Sequence, residues 1–184
     1  FQPELRSALE RIGRGRKVFI SSSAKKNEKT IDELVMAMSS LSRQKIGALV
    51  VLERKVGLND IIESGTRLGA DVSSELLINI FIPNTPLHDG AVIISNDTIT
   101  AAACYLPLTT SNIVSKELGT RHRAALGISE RSDCIVVVVS EETGIISLVE
   151  NGVINRYFDE ESLKKRLLTE LGNEEKTLLS KEEE

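Results

Sequence analysis

This sequence predicts a single-domain mixed α/β fold, a central sheet with helices packed on its faces. Three observations point to it. Two continuous apolar runs rich in Val and Ile, Ile46–Leu52 and Cys134–Val139, have the length and composition of strands covered on both faces. Two strand pairs are split by short turn signals, Ser95-Asn96-Asp97 and Asn151-Gly152, so part of the sheet is antiparallel. Segments with apolar residues at helical spacing are interleaved with these strands. At 184 residues the chain is long enough for one well-buried domain and short for two.

Taken in order, Pro3–Ile12 reads as a first helix: Leu5, Ala8, Leu9 and Ile12 share a face, and Gly13 and Gly15 stop it. Arg14, Arg16 and Lys17 follow, a solvated patch or, beside a membrane, one that meets anionic headgroups. Val18–Ile20 is apolar and Ser21–Lys29 loop-like. Thr30 and Glu33 form a capping box ahead of Ile31, Leu34, Val35, Met38 and Leu41. After the strand Ile46–Leu52, Gly57–Ile62 reads as one helical turn and Thr66–Val72 as a weaker strand. Ser73 caps a short helix bearing Leu76, Leu77, Ile80 and Phe81, which ends before Pro83. Pro83–His88 is a rigid loop leading to the strands Ala91–Ile94 and Thr98–Leu106, the second ended by Pro107. Leu108–Leu118 is polar loop with some helix, and Thr120 then caps a helix from Arg121 to about Glu130. Beyond Cys134–Val139, the strands Ile145–Glu150 and Val153–Arg156 flank Asn151-Gly152. Asp159 caps a last helix with Leu163, Leu167, Leu168 and Leu171 on one face and Gly172 just past its end, before a charged, frayed tail, Asn173–Glu184.

Composition narrows the function. A net charge of −4 argues against a general nucleic-acid binder. Cys104 and Cys134 sit in strand-like surroundings, as buried free thiols of a reducing compartment do, and no Cys or His spacing suits a metal site. The apolar runs are far too short to span a membrane, and no signal peptide is visible. The chain starts at Phe1 rather than Met, so we expect a fragment whose natural N-terminus extends further.

Two runs carry the chemistry. Leu87-His88-Asp89-Gly90-Ala91 sets a carboxylate and an imidazole at the mouth of an apolar strand, where Gly90 permits close approach of backbone or ligand. A turn aspartate bonding its own loop is the plain alternative. Gly119-Thr120-Arg121-His122-Arg123 sets cations at a helix start, where the macrodipole opposes each by some tenths of a kcal/mol. A bound polyphosphate compensates, with first-turn amides as further donors; the alternative is that these side chains splay into solvent. Glu142, after Ser140-Glu141, lies in the loop leaving a buried strand, where ligands of α/β folds gather, though alone it reads as a solvated charge. No Walker-type Gly-Lys-Ser/Thr loop is present.

Together, Asp89-Gly90-Ala91 and Arg121-His122-Arg123 resemble the paired signature motifs of the diadenylate cyclase domain family. The likeness runs from about Lys45 to Arg156 and includes Gly47-Ala48-Leu49-Val50 and Leu87-His88. Phe1–Arg6 is similar to the segment that follows the transmembrane helices in the family's membrane-anchored branch. The resemblance implies condensation of two ATP into cyclic di-AMP with release of two pyrophosphates, helped by a divalent metal such as Mn²⁺, Mg²⁺ or Co²⁺. It implies that Asp89, beside Gly90, helps hold the metal and activates the ribose 3′-hydroxyl. Arg121, His122 and Arg123, with Thr120, would bind the phosphates and departing pyrophosphate. Tyr105 would stack on adenine beside Leu106, Glu142 would lie near metal and phosphates, and His88 would be a second metal contact. Ala91, Gly119 and Ser140 complete the implied ATP site.

The expected organisation is an N-terminal helix and linker over residues 1–20, a catalytic domain over 21–158, and a C-terminal helix and tail over 159–184. A homodimer is expected because the product joins two nucleotides while each chain holds one copy of each motif. The resemblance further implies attachment at the cytoplasmic face of a bacterial membrane, with a membrane regulator and phosphoglucosamine mutase as partners. A non-catalytic ATP or cyclic di-AMP sensor is the rival, disfavoured by the intact Asp89. A metal-dependent phosphoesterase lacks its His/Asp cluster here.

Overall fold

The computed structural model describes residues 27–112 and 115–181. The expectations for Pro3–Ile12, Arg14–Lys17 and Val18–Ile20 lie outside the described residues. Strands β1 (Ala48–Leu52) and β5 (Ile135–Val139) are buried along their whole length, as runs without a polar residue must be. They pair antiparallel at the sheet centre, Ala48 facing Val139 and Leu52 facing Ile135. β3 (Ala91–Ser95) runs parallel to β1 on its other side. Antiparallel strands complete the sheet: β4 (Thr98–Cys104) and β2 (Thr66–Asp71) beyond β3, β6 (Ile146–Glu150) and β7 (Val153–Phe158) beyond β5. The seven-stranded order is β2-β4-β3-β1-β5-β6-β7, a mixed sheet as expected. Both hairpin turns place two residues at positive φ, Asn96 and Asp97 at 48° and 63°, Asn151 and Gly152 at 49° and 73°.

Alternation along the strands sends Val50, Val92, Ile135 and Leu148 to one face and Leu49, Ile93, Val136 and Val149 to the other. Helices α1 (residues 27–44), α3 (Ser74–Phe81) and α5 (Glu160–Lys181) cover the first face with Leu34, Met38, Leu41, Leu77, Phe81, Leu163 and Leu167. Helices α2 (Asn59–Glu63) and α4 (Thr120–Ser129) cover the second with Ile62, Ala124, Ala125, Leu126 and Ile128. Each large side chain so buried contributes about 1.5–3 kcal/mol. Cys104 and Cys134 are free and buried, and burial pushes the Cys104 thiol up to about 11.

Four local expectations need correction. The Thr30–Glu33 pair does not cap α1, which already runs through residues 27–29, a stretch without Gly or Pro. Glu33 instead accepts the Ser74 amide at 2.7 Å, while Ser73 Oγ accepts that of Leu76 at 3.2 Å, so both serve the start of α3. β4 ends at Cys104, not Leu106, because Ala103 turns to φ 53° and the Tyr105 amide donates to Ser64 Oγ at 2.9 Å. The described residues of 108–118 are turn and coil without helix. Gly172 does not stop α5, which continues to Lys181; interior Gly costs only about 1 kcal/mol against Ala, and no Pro follows.

Candidate active site

The sheet register brings the functional runs to one edge. Ala48 faces Val139 and Ala91 faces Cys104, so the starts of β1 and β3 and the ends of β4 and β5 share that edge. Asp89 is exposed just before β3, and Gly90 takes φ 122°. A Cβ on Gly90 would lie 2.8 Å from the Ala103 carbonyl carbon and from Cys104 O, so no other residue fits there. His88 Nδ1 lies 2.7 Å from Thr85 O, and since a carbonyl only accepts, Nδ1 is the donor of this bond and Nε2 is the ring nitrogen left outside it.

The helix start differs in one detail from expectation. Gly119, extended at φ −73° and ψ −178°, is the N-cap of α4, and Thr120 is the first helical residue. Gly119 O accepts the Arg123 amide at 3.2 Å, closing the first turn, while no side chain caps it and no acidic residue lies in it. First-turn amides are thereby left as donors. Arg121 Nη1 donates to Glu141 Oε2 at 2.8 Å. His122 is 4% exposed, and its Nε2 has no partner. Burial pushes its imidazole below the ordinary value, with Arg156 and then Arg121 adding to the effect, so it is neutral at pH 7. Arg123 anchors the helix through its carbonyl, which accepts the Thr109 amide at 3.0 Å.

After β5 the chain makes a tight turn: the Gly144 amide donates to Ser140 O at 2.9 Å and that of Ser140 to Ile145 O at 3.1 Å. Ser42 Oγ donates to Gly144 O at 2.5 Å, pinning the turn to the end of α1. A cavity of about 290 Å³ opens between this turn, the Asp89 loop and α4. Of the residues expected from the sequence, Asp89, Gly119, Thr120, Arg121, His122, Ser140 and Glu142 line it. Gly90, Ala91, His88, Tyr105, Leu106 and Arg123 do not; Tyr105 is 79% exposed at the same edge, and Leu106 packs against the α4-face core. Glu117, Val139 and Glu141 line it without having been singled out from the sequence. Glu141 stands beside Glu142 in a turn, where no periodicity tells which carboxylate meets Arg121.

Among the described residues no three His, Cys, Asp or Glu side chains gather as a ready metal site, so His88, Asp89 and Glu142 do not form one by themselves. The donor chemistry still fits a hard divalent cation: the Asp89 and Glu142 carboxylates line one cavity, and such ions commonly take one or two carboxylates and fill the rest with phosphate and water. One cavity thus holds oxygen donors suited to a cation, together with an arginine and free amides suited to an anion, the composition a metal-bound polyphosphate requires.

The family model described as DAC, DisA bacterial checkpoint controller nucleotide-binding, matches residues 35–154. The chain belongs to this family. This DAC chain is 56% identical over 174 residues to cyclic di-AMP synthase CdaA of Bacillus subtilis, covering 92% of this chain and 63% of the relative. It is 54% identical over 174 residues to a diadenylate cyclase of Listeria monocytogenes, again covering 93% and 63%. The crystal structure of a DacA double mutant from Staphylococcus aureus matches with a TM-score of 0.77 at 50% identity, over 79% of this chain and 97% of that one. The chain therefore spans 63% of the length of these curated relatives.

Proposed function

We propose that this chain is a diadenylate cyclase, joining two ATP molecules into cyclic di-AMP and releasing two pyrophosphates. The observation that carries the reading is the cavity that Asp89 shares with Arg121 and the uncapped start of α4, in a DAC-family chain. In each of two steps a ribose 3′-oxygen bonds to the α-phosphorus of the other ATP as that phosphorus loses its bond to pyrophosphate. The hydroxyl proton passes to the Asp89 carboxylate, and the bonding pair leaves with pyrophosphate. Positioning and charge neutralisation carry such a transfer. Arg121, Arg123, Thr120 and the first-turn amides hold the phosphates. His122, neutral and buried, sets the start of α4 rather than supplying charge. Tyr105 stacks on adenine beside Leu106, and Gly90, Ala91, Gly119 and Ser140 shape the wall around the nucleotide. Asp89 and Glu142, with His88 beside them, would hold Mn²⁺, Mg²⁺ or Co²⁺, which when bound supplies charge neutralisation at the phosphates.

Each chain contributes one Asp89 run and one Thr120–Arg123 run, so two chains facing one another form the working unit. Residues 21–158 form the catalytic part, between an N-terminal segment and the C-terminal helix. Among the described residues no helix is long and apolar enough to cross a membrane. Anchoring at the cytoplasmic face, a membrane regulator and phosphoglucosamine mutase belong to the same proposal through the family resemblance.

Incubation with ATP and Mn²⁺ followed by chromatography tests the reading. Cyclic di-AMP and two pyrophosphates per product are expected, with specific activity rising with enzyme concentration. Asp89→Asn should nearly abolish product while calorimetry still detects ATP binding. ATP bound but never converted by the wild-type chain would support the sensor instead.

A further inference from the structure

Three segments far apart in the chain meet at the Arg121 guanidinium. Its Nη1 donates to Glu141 Oε2 at 2.8 Å, from the turn after β5. Below it lies Gly47, just ahead of β1: a Cβ there would stand 2.6 Å from Nη1, 2.8 Å from Cζ and 3.1 Å from Glu141 Oε2. Any side chain at this position would displace the guanidinium, so the missing one is what makes room for the pair. Gly47 has negative φ, and this close approach is the reason for glycine.

The pair is not explained by stability. The Glu141 side chain is 64% exposed and that of Arg121 23%, and ion pairs so open to water stabilise folds little. Nor does it exhaust the fork: Arg121 Nε is buried without an acceptor. The helix macrodipole disfavours a cation at this first turn, so an untethered Arg121 would drift toward solvent. Glu141 offsets that tendency, and its charge is neutralised in doing so.

We propose that Glu141 is a positioning residue: it holds one edge of Arg121 in the space left by Gly47, so that the rest of the fork is presented to the polyphosphate. The inference rests on reading the cavity as an ATP site and adds a residue that the paired motifs do not contain. A Glu141 that merely repelled phosphate would make the opposite prediction, tighter binding when it is removed.

Calorimetric titration of the intact chain tests this, with 3′-deoxy-ATP, which lacks the attacking hydroxyl, and 3′-deoxyadenosine, which lacks phosphates. Glu141→Ala should weaken 3′-deoxy-ATP about tenfold, the scale of one charge-assisted contact, and leave 3′-deoxyadenosine unchanged. Glu141→Gln, which keeps an oxygen acceptor, should restore part of the loss, and Gly47→Ala should reproduce it. In an Arg121→Ala background Glu141→Ala should add nothing, because its effect passes through that arginine. Unchanged or tighter binding in Glu141→Ala, or an equal loss without Arg121, would overturn the positioning role while the wild type still makes cyclic di-AMP. A wild-type chain that binds no 3′-deoxy-ATP would overturn both this role and the ATP reading beneath it.

Discussion

The two faces of the sheet are covered in different ways. On the first, α1, α3 and α5 press Leu34, Met38, Leu41, Leu77, Phe81, Leu163 and Leu167 onto the strands, none more than 1% exposed. On the second, α4 brings small residues, Ala124 and Ala125, with Gly127 against the Pro107–Leu108 backbone and the buried polar His122. Among the described residues, Ser95 Oγ, Arg121 Nε, His122 Nε2, Ser147 Oγ and Arg156 Nε are buried without partners; two lie on α4, and alternation places the other three on the second face of the sheet. On the first face the one such atom is Arg166 Nε, whose guanidinium is held by Glu150 and Glu170 as that of Arg121 is by Glu141. Unpaired buried polar groups cost of order 1–3 kcal/mol each. The first face is built for stability, and the second gives some of it up where an anionic ligand can be held.

The largest effect should come from the first face. Leu77→Ala, at a fully buried position, should lower the unfolding free energy by about 2–5 kcal/mol, read by denaturant titration, while the folded fraction keeps its turnover. A smaller effect separates the faces by pH. With the folded-state value of His122 depressed, the unfolded chain binds more protons as pH falls through the ordinary histidine range. The stability from keeping this ring neutral is complete above about pH 6.5 and is lost as acid is added below it. Thermal melts from pH 7.5 to 5 should therefore show a steeper decline for wild type than for His122→Gln. Parallel curves would mean that His122 is not held neutral by the α4 face.

Much of the fold was legible because its strongest signals are local. The β1 and β5 runs have no polar residue to place outward, and Asn151-Gly152 supplies both positive φ values that a tight hairpin needs. What escaped depends on partners distant in the chain. Glu33 looked committed to its own helix and caps another 41 residues away. Gly172 carries the usual stop signal, yet the helix continues through it. At the site, the Asp89 and Arg121 runs could be read from residue type. His122 could not be told from its neighbours as the member that turns inward, because burial of one residue among three consecutive basic side chains is set by the sheet beneath. Gly47 and Glu141 had no signal of their own; their meaning comes from the Arg121 guanidinium between them.

The claim that the cations of the α4 start serve a polyphosphate rather than the fold is tested most directly by Arg121→Ala combined with Arg123→Ala. Unfolding free energy and the affinities for ATP and adenosine would be measured on the same preparation. ATP affinity should fall tenfold or more per arginine, at about 1.5–3 kcal/mol for each charge-assisted contact, with adenosine affinity and stability nearly unchanged. Equal weakening of both ligands, together with a loss of stability like that of Leu77→Ala, would contradict it.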